Sequence, residues 1–298
     1  MPYHPPLRRC RARRVLALAA LCLVAAGAAA AEGHAPGDID SEHLFGFTEG
    51  SDLGAPGEIE LEWDVTGRAG KRAGRFRALD SGIALKMPLT ADFRLAPGLT
   101  FAAHDTALAG APARTSGGLN GAVLETRLRL LDRRAAPFGL TFSAVPSYAG
   151  IDGGSGLAAT GFGGEFGLLA DAELVPGRLV AAVNAGFGLS ATTLNATGER
   201  FPVSGIEIAG ALAYRAEPGL FLGGEMRYAR AYEGLTLDRL AGEAFYLGPT
   251  LYAVLSPRTW ISLTWNVQMA GRAAGEPGPL DLSVFDRHQM RMRVGYTF

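Results

Sequence analysis

Cysteine is almost absent from this chain of 298 residues. Its two cysteines, Cys10 and Cys22, both precede residue 32, so the rest of the chain has no disulfide framework and no thiol chemistry. Beyond residue 31 the chain also lacks any run of about 18 apolar residues, which argues against a transmembrane helix. An excess of basic charge is missing as well. The 28 Lys and Arg face 29 Asp and Glu, which excludes the charge balance of a nucleic-acid-binding protein.

The first 31 residues have the three parts of a secretory signal peptide. A basic stretch ends at Arg14, an apolar stretch covers residues 15–26, and the alanines at 28–31 provide A-x-A cleavage sites. An uncleaved anchor helix is the alternative, but the apolar stretch is short and rich in alanine. We therefore expect export and cleavage of residues 1–31. Removing five arginines from 28 basic residues leaves 23 against 29 acidic ones, a formal charge of −6.

Alternation of apolar and polar residues is the dominant pattern in the rest of the chain. Residues 58–65 place acids on one face and apolar side chains on the other, and residues 261–269 alternate in a similar way. A period of two predicts β-strands with one apolar and one polar face. About twelve such segments are separated by turns rich in Gly, Pro and Asp. The segments cover residues 58–65, 75–87, 93–103, 122–130, 138–144, 162–168, 179–189, 206–214, 220–228, 245–255, 261–269 and 290–298.

The last segment carries the most specific signal. Every second residue from Met290 to Phe298 is apolar or aromatic, and the chain stops on that phenylalanine. Behind an export signal, this ending resembles the closing strand of a Gram-negative outer-membrane β-barrel; the resemblance is to the architectural class and to no single family. It implies an all-β fold, a transmembrane antiparallel up-and-down barrel of about twelve strands closed by the C-terminal strand. It also implies location in the cell outer membrane, with Tyr296 and Phe298 as the signal read by the barrel-assembly machinery.

The connections between the segments favour a membrane barrel over a soluble sandwich or a periplasmic barrel, whose strands alternate in the same way. Short and longer connections follow each other in turn, as do the periplasmic turns and outer loops of bacterial barrels. We expect a monomer in contact with outer-membrane lipid and lipopolysaccharide. The longer connections are expected at residues 67–74, 104–118, 150–160, 192–204, 231–243 and 271–286.

Three places interrupt the alternation. The phase changes near Ser81 and Gly82, which predicts a β-bulge. Pro97 and Gly98 interrupt the third segment. Pro249 lies in mid-strand, where it cannot donate a ladder hydrogen bond, so we expect a local bulge there as well.

The polar phase of the strands defines the expected lining of the lumen. Because lipid admits no open sheet edge, the first and last strands must pair. Antiparallel pairing would bring the acids Glu60, Glu62 and Asp64 close to two arginines of the last strand, as a ladder at the seam. Such a ladder either orients polar solutes in a pore or only neutralises charge and sets the closing register. The expected pore-lining residues are Glu60, Glu62, Asp64, Glu125, Arg127, Arg129, Glu225, Arg227, Arg291 and Arg293.

How open the lumen is depends on small residues and on the segment before the first strand. Gly and Ala recur at inward positions, which favours a water-filled passage. Residues 32–56 show no clear strand or helix pattern, and their only apolar stretch, 44–47, lies among acids. The segment is either a periplasmic leader or a small plug in the lumen, and the pattern favours a partly ordered leader. The barrel itself is expected at residues 57–298.

These expectations point to transport. A charged lumen predicts passive or weakly selective passage of small polar solutes across the outer membrane. A structural or adhesive barrel that does not conduct is the main alternative, and a lipid-modifying enzyme is the third. We expect no enzyme, because no strand offers a lipid-facing serine near His104 or His288. We also expect no cofactor and no metal, since His34 and His43 lie among acids without a specific ligand spacing.

Overall fold

A computed structural model describes residues 39–298, so the predicted signal peptide lies outside the described residues. Among the residues described, no helix is long and apolar enough to cross a membrane. Their secondary structure consists of twelve β-strands. These are β1 (Glu60–Lys71), β2 (Gly74–Pro88), β3 (Phe93–Leu108), β4 (Arg114–Leu131), β5 (Gly139–Ile151), β6 (Ala158–Val175), β7 (Leu179–Leu194), β8 (Arg200–Glu217), β9 (Leu220–Glu233), β10 (Arg239–Ser256), β11 (Thr259–Ala273) and β12 (His288–Thr297).

The strands form one closed sheet. Each strand pairs antiparallel with its neighbours in sequence, and β1 pairs with β12 to close the barrel. The register at this seam sets Asp64 opposite Arg293, and the Phe298 amide donates to the Ile59 carbonyl at 3.0 Å. Closure leaves no unpaired edge, as lipid requires. The predicted all-β, twelve-stranded, up-and-down barrel closed by the C-terminal strand is confirmed.

Side chains alternate between an apolar outer surface and a polar lumen. On β11, Trp265 and Met269 are 47% and 57% exposed on the outside, whereas Asn266 and Gln268 between them are fully buried. This arrangement is the reverse of that in a soluble protein, and it is the one expected for a barrel with lipid outside and polar groups inside.

The two ends of the barrel differ. The turns between β2 and β3, β4 and β5, β6 and β7, β8 and β9, and β10 and β11 lie at one end, which we call the periplasmic end because short turns face the periplasm in bacterial barrels.

Most of the connections expected to be long loops at the opposite, outer end are strand instead. β1 continues to Lys71 and β2 begins at Gly74, so residues 67–74 form a hairpin. Only the connection between β11 and β12, residues 274–287, is long. The prediction was wrong because strand ends beyond the bilayer need no apolar outer face, so their sequence loses its alternation.

The expected bulge in β2 is absent. Ser81 and Gly82 pair in unbroken register with β1 and β3. The inward phase runs without a break from Phe76 and Ala78 to Lys86. The change of phase was predicted wrongly because the inward positions Phe76 and Ala78 carry apolar side chains, which resemble an outward face in the sequence. β3 likewise continues through the expected interruption at residues 97–98.

Pro249 causes no change of register either. It pairs with Gly224 of β9, and on the β11 side the pairing skips it while keeping the same register. The Thr264 hydroxyl donates to the Pro249 carbonyl at 3.0 Å. The register of β10 instead shifts between Phe245 and Tyr246 and between Val254 and Ser256 on the β11 side, and between Leu240 and Gly242 on the β9 side.

Candidate functional site

The segment before β1 folds into the periplasmic half of the lumen, and we call its residues 39–53 the plug. Its side chains Ile39, Leu44 and Phe45 are at most 2% exposed and belong to one apolar cluster with the wall. The wall contributes Val180, Ala182, Ala211, Ala213, Phe221, Tyr252 and Trp260 to the cluster.

Side chains of the wall hydrogen-bond the plug backbone. Glu225 of β9 accepts the amides of Phe47 and Thr48 at 2.9 Å each. Asn184 of β7 accepts the Glu49 amide at 2.7 Å and donates to the Glu49 carbonyl at 2.8 Å. A buried amide without a partner costs about 1–3 kcal/mol. These wall groups therefore stabilise an irregular backbone that has no sheet or helix to bond with.

Glu42 of the plug lies between two cations of the wall. Lys86 Nζ lies 2.6 Å from Glu42 Oε1, and Arg94 Nη1 lies 2.6 Å from Glu42 Oε2. Each cation also has an acid of the wall within reach: Glu62 is 2.7 Å from Lys86, and Glu125 is 2.5 Å from Arg94. Neither Lys86 nor Arg94 was among the residues predicted to line the lumen.

Arg127 of β4 joins plug and wall in a second group of charges. Its guanidinium contacts Glu49 of the plug, and it lies 2.9 Å from Glu125 on its own strand. Arg291 of β12 lies 3.4 Å from Glu49 and 2.5 Å from Asp64 of β1. Arg127 is only 2% exposed, so carboxylates rather than water stabilise its charge.

These neighbours set the protonation of the plug carboxyls. Burial alone would raise the pKa of Glu42 and Glu49, but the surrounding Arg and Lys charges outweigh burial and hold the pKa of both well below its usual range. Asp52 behaves differently. Burial raises the pKa of Asp52 to about 6, although Arg133 lies 2.7 Å away.

His43 stacks on Trp260 with ring centroids 3.9 Å apart. Its Nε2 lies 3.7 Å from Glu42 and 3.5 Å from Glu60. Burial lowers the pKa of His43, but the carboxylates of Glu42 and Glu60 outweigh it, so the pKa is raised. Histidine and carboxylates at this spacing have the composition of a metal site. The ammonium of Lys86 already lies 3.3 Å from Glu60, however, and supplies the positive charge that a metal would bring.

The ten expected lining residues all belong to the inward phase, but they do not line one open passage. Arg293 is 1% exposed and donates to the Phe45 carbonyl of the plug at 2.9 Å. Arg129 lies near the periplasmic end, 3.7 Å from Asp132. Some of the ten residues therefore contact the plug instead of lining an open passage. The inward residues in question are Glu60, Glu62, Asp64, Glu125, Arg127, Arg129, Glu225, Arg227, Arg291 and Arg293.

Of the ion pairs expected between acids of β1 and arginines of β12 at the seam, only one forms among the described residues. Asp64 pairs with Arg291. Glu60 and Glu62 instead pair with Lys86 of β2, on the other side of β1. The ladder was over-predicted because the phase of β2 was misread and its lysine left out.

A cavity of about 990 Å³ lies above the plug. Phe47 and Glu49 of the plug form its floor, and the guanidinium carbon of Arg227 lies 4.1 Å from the Phe47 ring centroid. Charged side chains of β12, β1 and β4 line one side of the cavity. Small residues of β6, β7 and β8 line the other side. The small residues are Gly163, Gly167, Gly186, Gly188, Gly205 and Ala209, and the acids Glu165 of β6 and Glu207 of β8 lie among them.

Two outer connections meet over the cavity. Arg68 of β1 lies 3.3 Å from Asp286 and donates to the Gly153 carbonyl at 3.0 Å. It thereby ties residues 274–287 to residues 152–157. Both segments therefore reach an inward side chain at the outer end of the barrel.

The two histidines weighed for catalysis lie on opposite faces of the wall. His104 is inward and 2% exposed, with Nε2 3.3 Å from the Gly153 carbonyl oxygen. His288 belongs to the outward phase, and its ring lies 5.9 Å from that of Trp265. The two imidazoles therefore do not share a site.

Comparison with known proteins identifies a family and a fold. No curated protein matches the chain. The COG4313 outer membrane channel from Pseudomonas putida F1 is 11% identical, with a TM-score of 0.58 over 83% of this chain and 98% of that one. The beta domain of the Bordetella autotransporter Brka is 14% identical, with a TM-score of 0.53 over 81% and 99%. These likenesses show the outer-membrane β-barrel fold. A model of a family of unknown function, DUF6662, matches residues 37–298, and the chain therefore belongs to that family.

Proposed function

We propose that the protein is an outer-membrane channel for small polar solutes, closed at its periplasmic end by the plug and opened when the plug moves. The cavity of about 990 Å³ directly above the plug carries this proposal. Its lining is charged on one side and combines small residues with the acids Glu165 and Glu207 on the other, which suits hydrated solutes. A solute that enters from outside would meet Phe47 and Glu49 of the plug at the cavity floor.

The pairing of the wall charges supports a movable plug. When Glu42 leaves, Lys86 keeps Glu62 at 2.7 Å and Arg94 keeps Glu125 at 2.5 Å. Lys86 and Arg94 thus each retain a carboxylate partner with the plug in or out, so the release of Glu42 isolates neither of these two charges. A two-state gate needs this property, since its two states must differ by only a few kcal/mol.

A plugged barrel that does not conduct is the second candidate. The plug favours it, because its apolar side chains Ile39, Leu44 and Phe45 are buried as in a permanent core. Such a barrel would act through its outer surface. The two candidates differ in whether the plug leaves the lumen under conditions in which the barrel stays folded.

A reversible disulfide between plug and wall separates the candidates. An ideal Cβ at Gly139 would lie 3.1 Å from Ser51 Cβ, slightly below the usual disulfide separation of about 3.5–4.5 Å. Beyond residue 31 the chain has no cysteine of its own. We would refold the Ser51→Cys/Gly139→Cys variant and record single-channel currents in planar bilayers, oxidised and then reduced, with Ser51→Cys alone as the matched control.

We expect ohmic steps from the reduced variant and from the control, and none from the oxidised variant. Steps that persist after complete oxidation would show that solutes pass beside a fixed plug. If heat-modifiable gel mobility proves every form folded and none conducts, the channel proposal fails and the second candidate stands.

A further inference from the structure

The arginines around the cavity already have partners. Arg227 bonds to both carboxylate oxygens of Glu207, at 2.9 and 2.8 Å. Arg291 bonds to Asp64 at 2.5 Å. An anionic solute would therefore have to displace a carboxylate of the protein to reach any of these guanidinium groups.

Glu165 of β6 is in the opposite situation. Within residues 39–298, no hydrogen bond or ion pair reaches its carboxylate. Its side chain is exposed, and because it belongs to the inward phase, that exposure is to the cavity. Glu165 thus offers a negative charge that water alone solvates.

On its β7 side the wall beside Glu165 carries no side chains, whereas Val145 pairs with Glu165 on the β5 side. In the sheet Glu165 pairs with Gly188 of β7, and Gly186 pairs with Glu207 of β8. A Cβ at Gly186 would meet only two backbone oxygens, both at 3.9 Å. The two carboxylates therefore flank a bare strip of β7, and their strands lie roughly 10 Å apart.

We propose that this cavity binds cationic solutes, amines and diamines in particular, and that Glu165 receives their ammonium group. The proposal rests on the channel function and names its substrate class. A cation finds one unpaired carboxylate at Glu165 and a second, shared one at Glu207. The bare strip between them leaves room for an alkyl chain that joins two ammonium groups.

Ion selectivity and block test this assignment. The probes are 1,4-diaminobutane and, as an anion of similar length, succinate, applied to the wild-type chain and to Glu165→Gln. Glu173→Gln is the matched control, since Glu173 lies on the same strand near the periplasmic end, where it accepts the Gly177 amide at 2.6 Å. We expect K⁺ to be favoured over Cl⁻ in a KCl gradient, and diaminobutane to block at about tenfold lower concentration than succinate.

Glu165→Gln should lower the K⁺/Cl⁻ permeability ratio and weaken the diaminobutane block about tenfold, whereas Glu173→Gln should change neither. Calorimetric titration of diaminobutane into the folded, detergent-solubilised protein measures the same site without any current. Binding that depends on Glu165 in a barrel that does not conduct would leave the site standing and overturn the channel. Currents with anion selectivity, or block and binding unchanged by Glu165→Gln, would overturn the cation site and leave the channel.

Discussion

The periplasmic and outer halves of the lumen have similar walls and different contents. In both halves β7 and β8 turn small residues inward. Ala182 and Ala211 in the periplasmic half pack in the apolar cluster of the plug, whereas Gly186 and Gly188 in the outer half face the open cavity. Small inward residues thus show only that space is available. Whether a segment of the chain or water fills that space depends on which residues precede the first strand.

The charged groups of the two halves differ in their exposure to water. Arg127 in the periplasmic half is 2% exposed between acids of the plug and the wall, whereas Glu165 in the outer half is exposed to the cavity. Removing one partner of a buried ion pair costs several kcal/mol, but exposed pairs contribute little. Substitutions in the periplasmic half should therefore have the larger effects.

The largest effect is expected from Arg127→Ala. The change leaves Glu49 of the plug without its closest cation and Glu125 without one of two. Breaking a buried ion pair costs at least about 3 kcal/mol. If the docked plug loses that much stability, plug release should increase about a hundredfold. Maleimide labelling of a Thr48→Cys variant would report it, because Thr48 is fully buried and its hydroxyl has no hydrogen-bond partner to lose.

Arg129→Ala is the matched control for that change. Arg129 is the next inward residue on β4 and lies 3.7 Å from Asp132 at the periplasmic end. Its removal should leave labelling at position 48 nearly unchanged. Equal labelling in the two variants would show that Arg127 does not hold the plug.

The second effect is a pH dependence of the plug. Burial raises the pKa of Asp52 from 3.8 to about 6. Below pH 3.8 the Asp52 carboxyl is protonated whether the plug is docked or released, so burial of its charge costs nothing. Between pH 3.8 and about 6 the carboxyl ionises more readily when the plug is released, so the docked plug loses stability as pH rises through that window. His43 acts in the same direction, since its raised pKa stabilises the docked plug below 6.5 and that stability is lost at higher pH.

Opening should accordingly be about tenfold more frequent at pH 8 than at pH 5. Glu42 and Glu49 have lowered pKa values and would weaken docking only in more acidic solution. Single-channel open probability measures the effect. Asp52→Asn should flatten the profile, and an unchanged slope in that variant would exclude Asp52 as its source.

The fold could be predicted from the sequence because the bilayer imposes a strict pattern. Lipid on one side and water on the other fix alternate residues along each strand, as Trp265 and Asn266 on β11 illustrate. The prediction failed where that constraint ends. Strand ends above the bilayer were taken for loops at residues 67–74, and inward apolar residues such as Phe76 were taken for a change of phase.

The contents of the lumen were harder to predict, for a physical reason. The plug, residues 39–53, has no regular backbone, so it leaves no periodic signal. Its contacts depend on residues that are distant in sequence, such as Glu225 and Asn184. Lys86 could have been found, because it shares the inward phase of Asp80 on β2. Its pairing with Glu42 could not, since nothing in the sequence places the plug against β2.

A smaller effect is expected from filling the cavity. Gly186→Trp adds a large side chain where a Cβ meets only backbone oxygens at 3.9 Å. Conductance should fall by about half, with little change in stability, because the space is open. Gly210→Trp is the control: this residue lies on the outer surface of β8, where a Cβ would be 3.6 Å from a methionine methyl. A loss of conductance in both variants would indicate distortion of the barrel and not occupation of the cavity.

The smallest effect is expected at the seam. Asp64 and Arg291 lie 2.5 Å apart, but their side chains are 23% and 19% exposed, and Arg291 keeps Glu49 as a second partner. A double-mutant cycle with Asp64→Asn and Arg291→Gln should therefore give a coupling below about 1 kcal/mol in urea unfolding. The same cycle on Glu49 and Arg127 should give several times more. If the two couplings were equal, burial would not explain the contrast between the halves, and the plug would be no more firmly held than the seam that closes the barrel.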